Sequence, residues 1–540
     1  MTLDVPLGDP ILLPALARAL ETAEYTVDGV ADFLGESAYA ALNREQLVPA
    51  LLATEGSSQP VAVLTRLFLL AEPTAVELLD QALPGIGAEG LAKLGLIELK
   101  DGLGHALADL RPYAFQDDQG EVQLQVASDL AAHQRPGVLR RDHVLGIGGA
   151  SLTLAQATIR NPVEKALDLG TGCGIQTLHL LRHARQVTAT DISERALAFT
   201  RFNLLLNAEL LGLNPQHLEE RVQLKQGSLL EPVQGEEFDL VVSNPPFVIT
   251  PRHRGESAAE QFTYRDAGLP GDQLVSSLLQ ALPAVLSPGG SAQLLGNWEI
   301  SAAQPWQQRV EPWVAGITDC WVIQREEISP EQYAETWLQD ASQGRDATSY
   351  ADSYRDYLQD FAARNVQGIG FGMVWLRRGR TEAALSTLHR FEDLSHPLEQ
   401  PIAPYLAAAV ERADWLSTTE LATAKLTVAE DVTEERHQRP GAEHPGVILL
   451  RQGAGLRRTT LLSTELAGFV SACDGTLSVG QIEAALAALL DRELELFDQV
   501  RELVLDGFLL PDEAQDNHAN AQAEQQSNAP AEHKSEPRAE

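Results

Sequence analysis

Apolar residues recur every three or four positions in Ile11–Leu20 and again in Pro60–Leu83, which predicts amphipathic helices. Ala88–Leu94 repeats the pattern in a short helix after Gly87, and Gly95 ends it. The period then changes. Leu96–Leu99 and Gly102–Arg111 read as strands around the turn Asp101-Gly102. From about residue 145 to about residue 380, apolar strand-like runs alternate with helical stretches. The runs are Lys165–Asp168, Val187–Thr190, Val222–Lys225, Leu240–Ser243, Ser291–Gly296, Trp321–Gln324 and Gly368–Leu376. That alternation predicts an α/β fold with a doubly wound, seven-stranded sheet. Pro330–Arg364, rich in aromatic and charged residues at helical spacing, reads as a helical insertion before the last strand.

The two ends differ from this middle. Residues 1–140 are helices followed by a two-stranded ribbon, and this order resembles a winged helix. Residues 385–420 read as a connecting helix. Val447–Leu450 then reads as a strand, Ser463–Ala472 and Val479–Leu490 as helices, and Leu494–Leu510 as the close of a small domain. Asp506-Gly507-Phe508 loosely echoes Leu94-Gly95-Leu96, so 385–511 is expected to hold a second winged-helix-like module. The tail 512–540 is Gln-, Asn-, Ala- and Glu-rich and is expected to be disordered.

Charge narrows the partners. The chain has 76 acidic and 40 basic residues, a formal net charge of −36. Nonspecific grip on nucleic acid needs a basic surface, which is missing globally. Protein docking is therefore preferred for the end modules. No run is long and apolar enough for a membrane span. Cys173, Cys320 and Cys473 are far apart, and the thirteen histidines show no metal-ligand spacing. The expectation is a cytoplasmic protein without metal or membrane attachment. Nothing in the sequence assigns an oligomeric state.

Two motifs carry chemistry. Ala166-Leu167-Asp168-Leu169 runs straight into Gly170-Thr171-Gly172-Cys173-Gly174, and a helix follows. Glycine at every second position allows a tight turn and a close approach to a bound nucleoside. The next strand ends at Asp191, where a carboxylate can take two hydrogen bonds from ribose hydroxyls. The second motif, Ser243-Asn244-Pro245-Pro246-Phe247, ends the fourth strand. Its prolines stiffen the turn. An amino group on a planar amide or base is a poor nucleophile, because its lone pair is delocalised. Acceptors at the Asn244 side chain and the Pro245 carbonyl would return charge to that nitrogen, while the Phe247 ring stacks on the planar group.

Together these residues resemble the class I methyltransferases, a Rossmann-like family whose cofactor is S-adenosylmethionine. The resemblance implies that Asp168 meets the methionine end, that Gly170, Gly172 and Gly174 form the loop beneath it, and that Asp191 holds the ribose. Ser228 stands where such enzymes often carry an acid for the adenine amino group. Asn244 borders the cofactor as well as the substrate. The Asn-Pro-Pro-Phe turn is similar to that of N-methyltransferases acting on release-factor glutamine, ribosomal-RNA bases or DNA adenine. The loop Tyr264–Asp272 loosely matches the glutamine enzymes. This implies transfer of a methyl group to a planar nitrogen of a macromolecule, protein or RNA/DNA, with a protein amide slightly ahead. An idle methyltransferase fold used as a scaffold is the other reading, and the intact turn argues against it. Arg252 and Arg254 are candidate substrate contacts. Arg140-Arg141 and Arg377-Arg378 read as charged surface, and Cys173 as a small packing residue.

Overall fold

The computed structural model describes residues 5–117, 119–135, 140, 142–251, 269–340, 347–381 and 383–512. It falls into two compact units, Met1–Ser395 and His396–Glu540.

The first unit opens with six helices: α1 (Leu12–Thr22), α2 (Val27–Leu42), α3 (Val48–Thr54), α4 (Pro60–Leu64), α5 (Val76–Ala82) and α6 (Gly87–Lys93). The apolar run 60–83 is not one helix. α4 passes into a π-helical turn, Thr65–Leu69, and the short strand β1 (Thr74–Ala75) follows before α5. Pro73 explains the break, since it disfavours helical geometry in the residue before it. β2 (Ile97–Lys100) and β3 (Leu103–Ala106) flank the turn at Asp101-Gly102, and β1 completes a small sheet. The run 102–111 is two strands. β3 stops at Ala106, and β4 (Asp109–Asp117) starts a separate hairpin with β5 (Gly120–Ser128).

β5 meets its next neighbour without another strand. On helix α9 (Glu194–Leu206) and just past its end, Asn203 and Asn207 lie one turn apart and replace a strand edge. Asn203 Oδ1 accepts the Ala127 amide at 2.7 Å, and its Nδ2 donates to the Ala127 carbonyl at 2.9 Å. Asn207 does the same for Gln125, at 2.9 and 2.8 Å. Asn203 Nδ2 also reaches the Cys173 carbonyl at 2.8 Å. Asn203 is fully buried. Asn203→Ala therefore leaves an amide and two carbonyls without these partners, and should cost about 3 kcal/mol of unfolding free energy. Urea titration of the whole chain measures this, and a loss under about 1 kcal/mol would mean the groups find other partners.

The central sheet has eight strands, one more than the sequence pattern predicts: β6 (Val163–Leu169), β7 (Ala184–Asp191), β8 (Val222–Gln226), β9 (Phe238–Ser243), β10 (Leu286–Ser301), β11 (Asp319–Ile328), β12 (Val366–Arg377) and β13 (His389–Asp393). Their order is β13-β11-β12-β10-β9-β6-β7-β8. The first seven cover the seven predicted runs. β13 pairs in parallel with β11 where a connecting helix was expected to begin; that helix lies further on, at Ala403–Thr418. From β10 to β8 the pairing is parallel, while β12 runs antiparallel to β10 and β11. The helices α7 (Gly149–Ala157), α8 (Ile175–Leu180), α10 (Gln273–Ala281) and α11 (Trp306–Val310) connect or cover the strands. The predicted insertion is the pair α12 (Pro330–Asp340) and α13 (Ala347–Ala363).

The chain leaves β6 outward through β7 and β8, then returns to β9 on the other side of β6. The carboxyl ends of β6 and β9 therefore adjoin at the point where the winding reverses. In open α/β sheets, such a point leaves a crevice for ligands. A core including Leu167, Val241, Leu278, Leu294 and Trp298 packs beneath it.

The second unit holds two three-stranded antiparallel sheets. One consists of Lys425–Val428, Asp474–Ser478 and Leu509–Pro511, the other of Val432–His437, Val447–Gln452 and Thr459–Leu462. Helices Thr464–Ser471, Val479–Leu490 and Phe497–Asp506 pack on them through Phe469, Ile482 and Val500. Of the tail expected at 512–540, residues 513–540 lie outside the described residues.

Candidate functional site

The loop after β6 is built by its own side chains. Asp168 is buried beneath it. Its Oδ2 accepts from Thr171 Oγ1 at 2.7 Å, Thr177 Oγ1 at 2.6 Å and the Thr177 amide at 2.9 Å. Burial pushes this carboxyl up to about 6, against the pull of those donors. Through Oδ2, Asp168 braces the loop and the start of α8, in addition to the contact with the cofactor's methionine end that the resemblance implies.

The three glycines all take left-handed backbone angles, with φ of 78° at Gly170, 57° at Gly172 and 89° at Gly174. A side chain on Gly174 would press on Thr200 at 3.0 Å, so this glycine permits close packing of the loop on α9. A side chain on Gly170 or Gly172 would meet nothing within 4 Å. Their bare backbone faces open space, the cradle a nucleoside needs. The Gly170 and Thr171 amides both donate to the Thr190 carbonyl at 2.9 Å, which fixes the loop to the end of β7. Cys173 is buried, its thiol pushed up to about 12 by burial, and it serves as packing.

Asp191 closes β7 beside this cradle. Its Oδ2 accepts the Gly172 amide at 3.0 Å and its Oδ1 the Ser193 amide at 2.8 Å. Desolvation raises its pKa from the ordinary value. The Ile192 amide also favours the charged carboxylate, and because a carboxylate offers about four acceptor positions, acceptor capacity remains for a ligand. The adjoining Ile192 is 54% exposed, apolar surface next to an acid. Sequence reasoning passed over it, since a lone apolar residue after a strand carries no pattern. Gly227 follows β8 and donates its amide to the Asp191 carbonyl at 3.0 Å, so Ser228 comes to the same rim.

The turn after β9 faces the loop across the switch point. Ser243 Oγ donates to the Leu169 carbonyl at 2.7 Å and ties the ends of β6 and β9 together. Asn244 comes next, and its buried Oδ1 has no hydrogen-bond partner among the described residues. The Pro245 carbonyl was expected to serve as a second acceptor. It accepts the Phe247 amide at 2.8 Å, which closes a three-residue turn and leaves one lone pair for a ligand. The Phe247 ring packs on the core and meets Phe371 edge-on, at 6.4 Å and 73°. Ile249, two residues on, donates its amide to the Tyr333 hydroxyl at 2.7 Å.

Arg252 and Arg254 lie outside the described residues, as does the 264–268 part of the loop Tyr264–Asp272. Arg377 donates to Asp319 at 2.8 Å and Arg378 to Glu237 at 2.9 Å. Arg377 pairs with Ser291 near the start of β10, at the end of the sheet away from this site. Arg140 is held by Asp142 at 2.9 Å. Among the described residues, no group of three metal-ligating side chains comes together, and no helix is long and apolar enough to cross a membrane.

Residues 130–267 match the methyltransferase small domain family, and residues 22–108 match a domain of unknown function (DUF7059). A release factor glutamine methyltransferase of Xylella fastidiosa is 35% identical over 145 residues, 26% of this chain and 49% of that protein. A ribosomal protein uL3 glutamine methyltransferase of Bradyrhizobium diazoefficiens is 31% identical over 159 residues, 28% of this chain and 46% of its own. A ribosomal RNA small subunit methyltransferase C of Alcanivorax borkumensis is 30% identical over 140 residues, 26% and 34% of the two chains. The match thus spans about half the length of the glutamine methyltransferases and a third of the ribosomal RNA enzyme.

Proposed function

We propose, on the premise that residues 130–267 belong to the methyltransferase small domain family, that this chain is an S-adenosylmethionine-dependent N-methyltransferase. Its acceptor is a planar amide or exocyclic amine of a macromolecule. One observation carries the reading: an open glycine cradle and an unpaired Asn244 Oδ1 stand at adjoining strand ends, stapled together by Ser243.

The residues present fit the cofactor. Gly170 and Gly172 leave room for its close approach, Asp191 offers lone pairs to ribose hydroxyls, and Ile192 and Ser228 offer an apolar and a polar contact for the base. When bound, S-adenosylmethionine supplies a methyl group on a positively charged sulfur. Asn244 Oδ1 accepts one N–H of the acceptor nitrogen, and the free lone pair of the Pro245 carbonyl accepts the other. Both bonds raise electron density on that nitrogen as it attacks, so they strengthen toward the transition state. The Phe247 face orients the planar group. No strong base is required, because the proton leaves after the nitrogen has gained its positive charge.

The net charge of −36 favours a basic protein over a nucleic acid as the partner. We therefore place a protein side-chain amide, such as glutamine, ahead of an RNA or DNA base. We also place the reaction in the reducing cytoplasm, where the three free, buried cysteines stay unpaired. Incubating the full chain with methyl-labelled cofactor and a cell extract tests both parts. Label should enter large material and be released by protease. Release by ribonuclease or deoxyribonuclease instead moves the acceptor to a base. Label confined to small molecules overturns the macromolecular reading.

A further inference from the structure

Resting on that reading, we propose that Asn297 is a second polar residue of the acceptor site, set in place by Tyr333 from the helical insertion. Leu294 of β10 pairs with Ser243, the last residue of β9. Asn297 follows three residues later, so it stands beyond the end of β9, alongside the turn that begins at Asn244. It is fully buried. Its Nδ2 donates to the Tyr333 hydroxyl at 3.2 Å, the same oxygen that accepts the Ile249 amide. Tyr333 is itself buried and stacks on Phe371, which meets Phe247. The carboxamide of Asn297 is therefore held at its nitrogen end. Its Oδ1 has no partner among the described residues.

That unpaired oxygen has company. Thr250 Oγ1 and Asn244 Oδ1 are also buried without partners, and both belong to the segment that Tyr333 holds. Most buried side-chain polar atoms in folded proteins are paired, and a group of exceptions needs an explanation. An asparagine used only for structure would engage both ends of its amide. One end here is fixed and the other is left as an acceptor, beside the turn that presents a planar N–H group. Asn297 Oδ1 suits an N–H donor of the same planar group, and Thr250 suits its polar edge. The helical insertion then has a role in substrate choice, because it delivers the hydroxyl that orients Asn297.

The test uses the full chain, methyl-labelled S-adenosylmethionine, and the protein and RNA fractions of a cell extract. Asn297→Ala should lower transfer into the accepting fraction at least tenfold in kcat/KM, with cofactor affinity by calorimetry within twofold of the parent. Asn297→Ser and Tyr333→Phe should fall between the parent and Asn297→Ala in transfer. Asn297→Ser keeps a Tm close to the parent, while Tyr333→Phe lowers it, because the Ile249 amide also loses its acceptor. If Asn297→Ala fails to fold, these two variants carry the comparison. Transfer retained by all the folded variants removes the Asn297 assignment and leaves the proposed function standing. Loss of cofactor affinity in step with transfer also removes it. Absence of transfer by the parent chain into either fraction removes the proposed function and this assignment together.

Discussion

Asp191→Ala should lower affinity for S-adenosylmethionine by about a hundredfold or more, equivalent to about 3 kcal/mol. Two losses combine. The carboxylate is the group we propose for the ribose hydroxyls, and charge-assisted hydrogen bonds of this kind are stronger than neutral ones. It also holds the Gly172 amide at 3.0 Å, so its removal releases the middle of the cradle. Asp191→Asn separates the two contributions. It keeps one acceptor oxygen but presents an amide nitrogen to a site arranged for two acceptors, and should bind with intermediate affinity. Calorimetry on the purified full chain gives both numbers. Unchanged affinity in Asp191→Ala would sink the ribose assignment.

Asn244→Ala should behave in the opposite manner. Turnover falls by about a hundredfold or more, the size of effect seen when one preorganised polar contact to a transition state is removed. Cofactor affinity stays within about twofold, since the lost contact acts on the acceptor nitrogen. Stability should hold or rise, because the substitution deletes a buried oxygen that has no partner in the folded chain. Single-turnover rates, calorimetry and thermal melts on one preparation resolve the three effects. A parallel loss of cofactor affinity and rate would move Asn244 to the cofactor's side of the crevice.

The parts of this fold that could be read from the sequence are those set by local chemistry. The strands of the central sheet that appear as apolar runs do so mostly because helices cover them and bury their side chains, whether they pair in parallel, as β6 and β9 do, or antiparallel, as β12 does. β13 escaped because His389-Arg390-Phe391-Glu392-Asp393 has one apolar residue. It is a strand because β11 offers it an edge. The apolar run of 60–83 has the right period for one helix, and Pro73 overrides it. In the site, Gly170, Gly172, Asp191 and Asn244 were legible because few residue types can do what those positions demand. Asp168 was legible as important but not as a brace, since its three donors come from the fold of the loop. Ser243, Asn297 and Tyr333 gave no signal. Their roles arise from strand register and from an insertion that returns to the end of β9 only in three dimensions.

The asparagine pair on α9 has one more consequence. A hairpin such as β4–β5 normally exposes a row of free amides and carbonyls on its outer strand, and such an edge recruits strands from other molecules. Here Asn203 and Asn207 occupy that row with side chains, and side chains at fixed helical spacing cannot be extended by a foreign strand. The protection is mutual. A shortened chain that begins after Ser128 would keep both asparagines on α9 but leave their amides without the backbone they cover. A fragment made of the leading helices and the hairpin would carry an open template for aggregation. The leading segment and the sheet are therefore poor candidates for separate expression, however clearly the family boundaries fall between them.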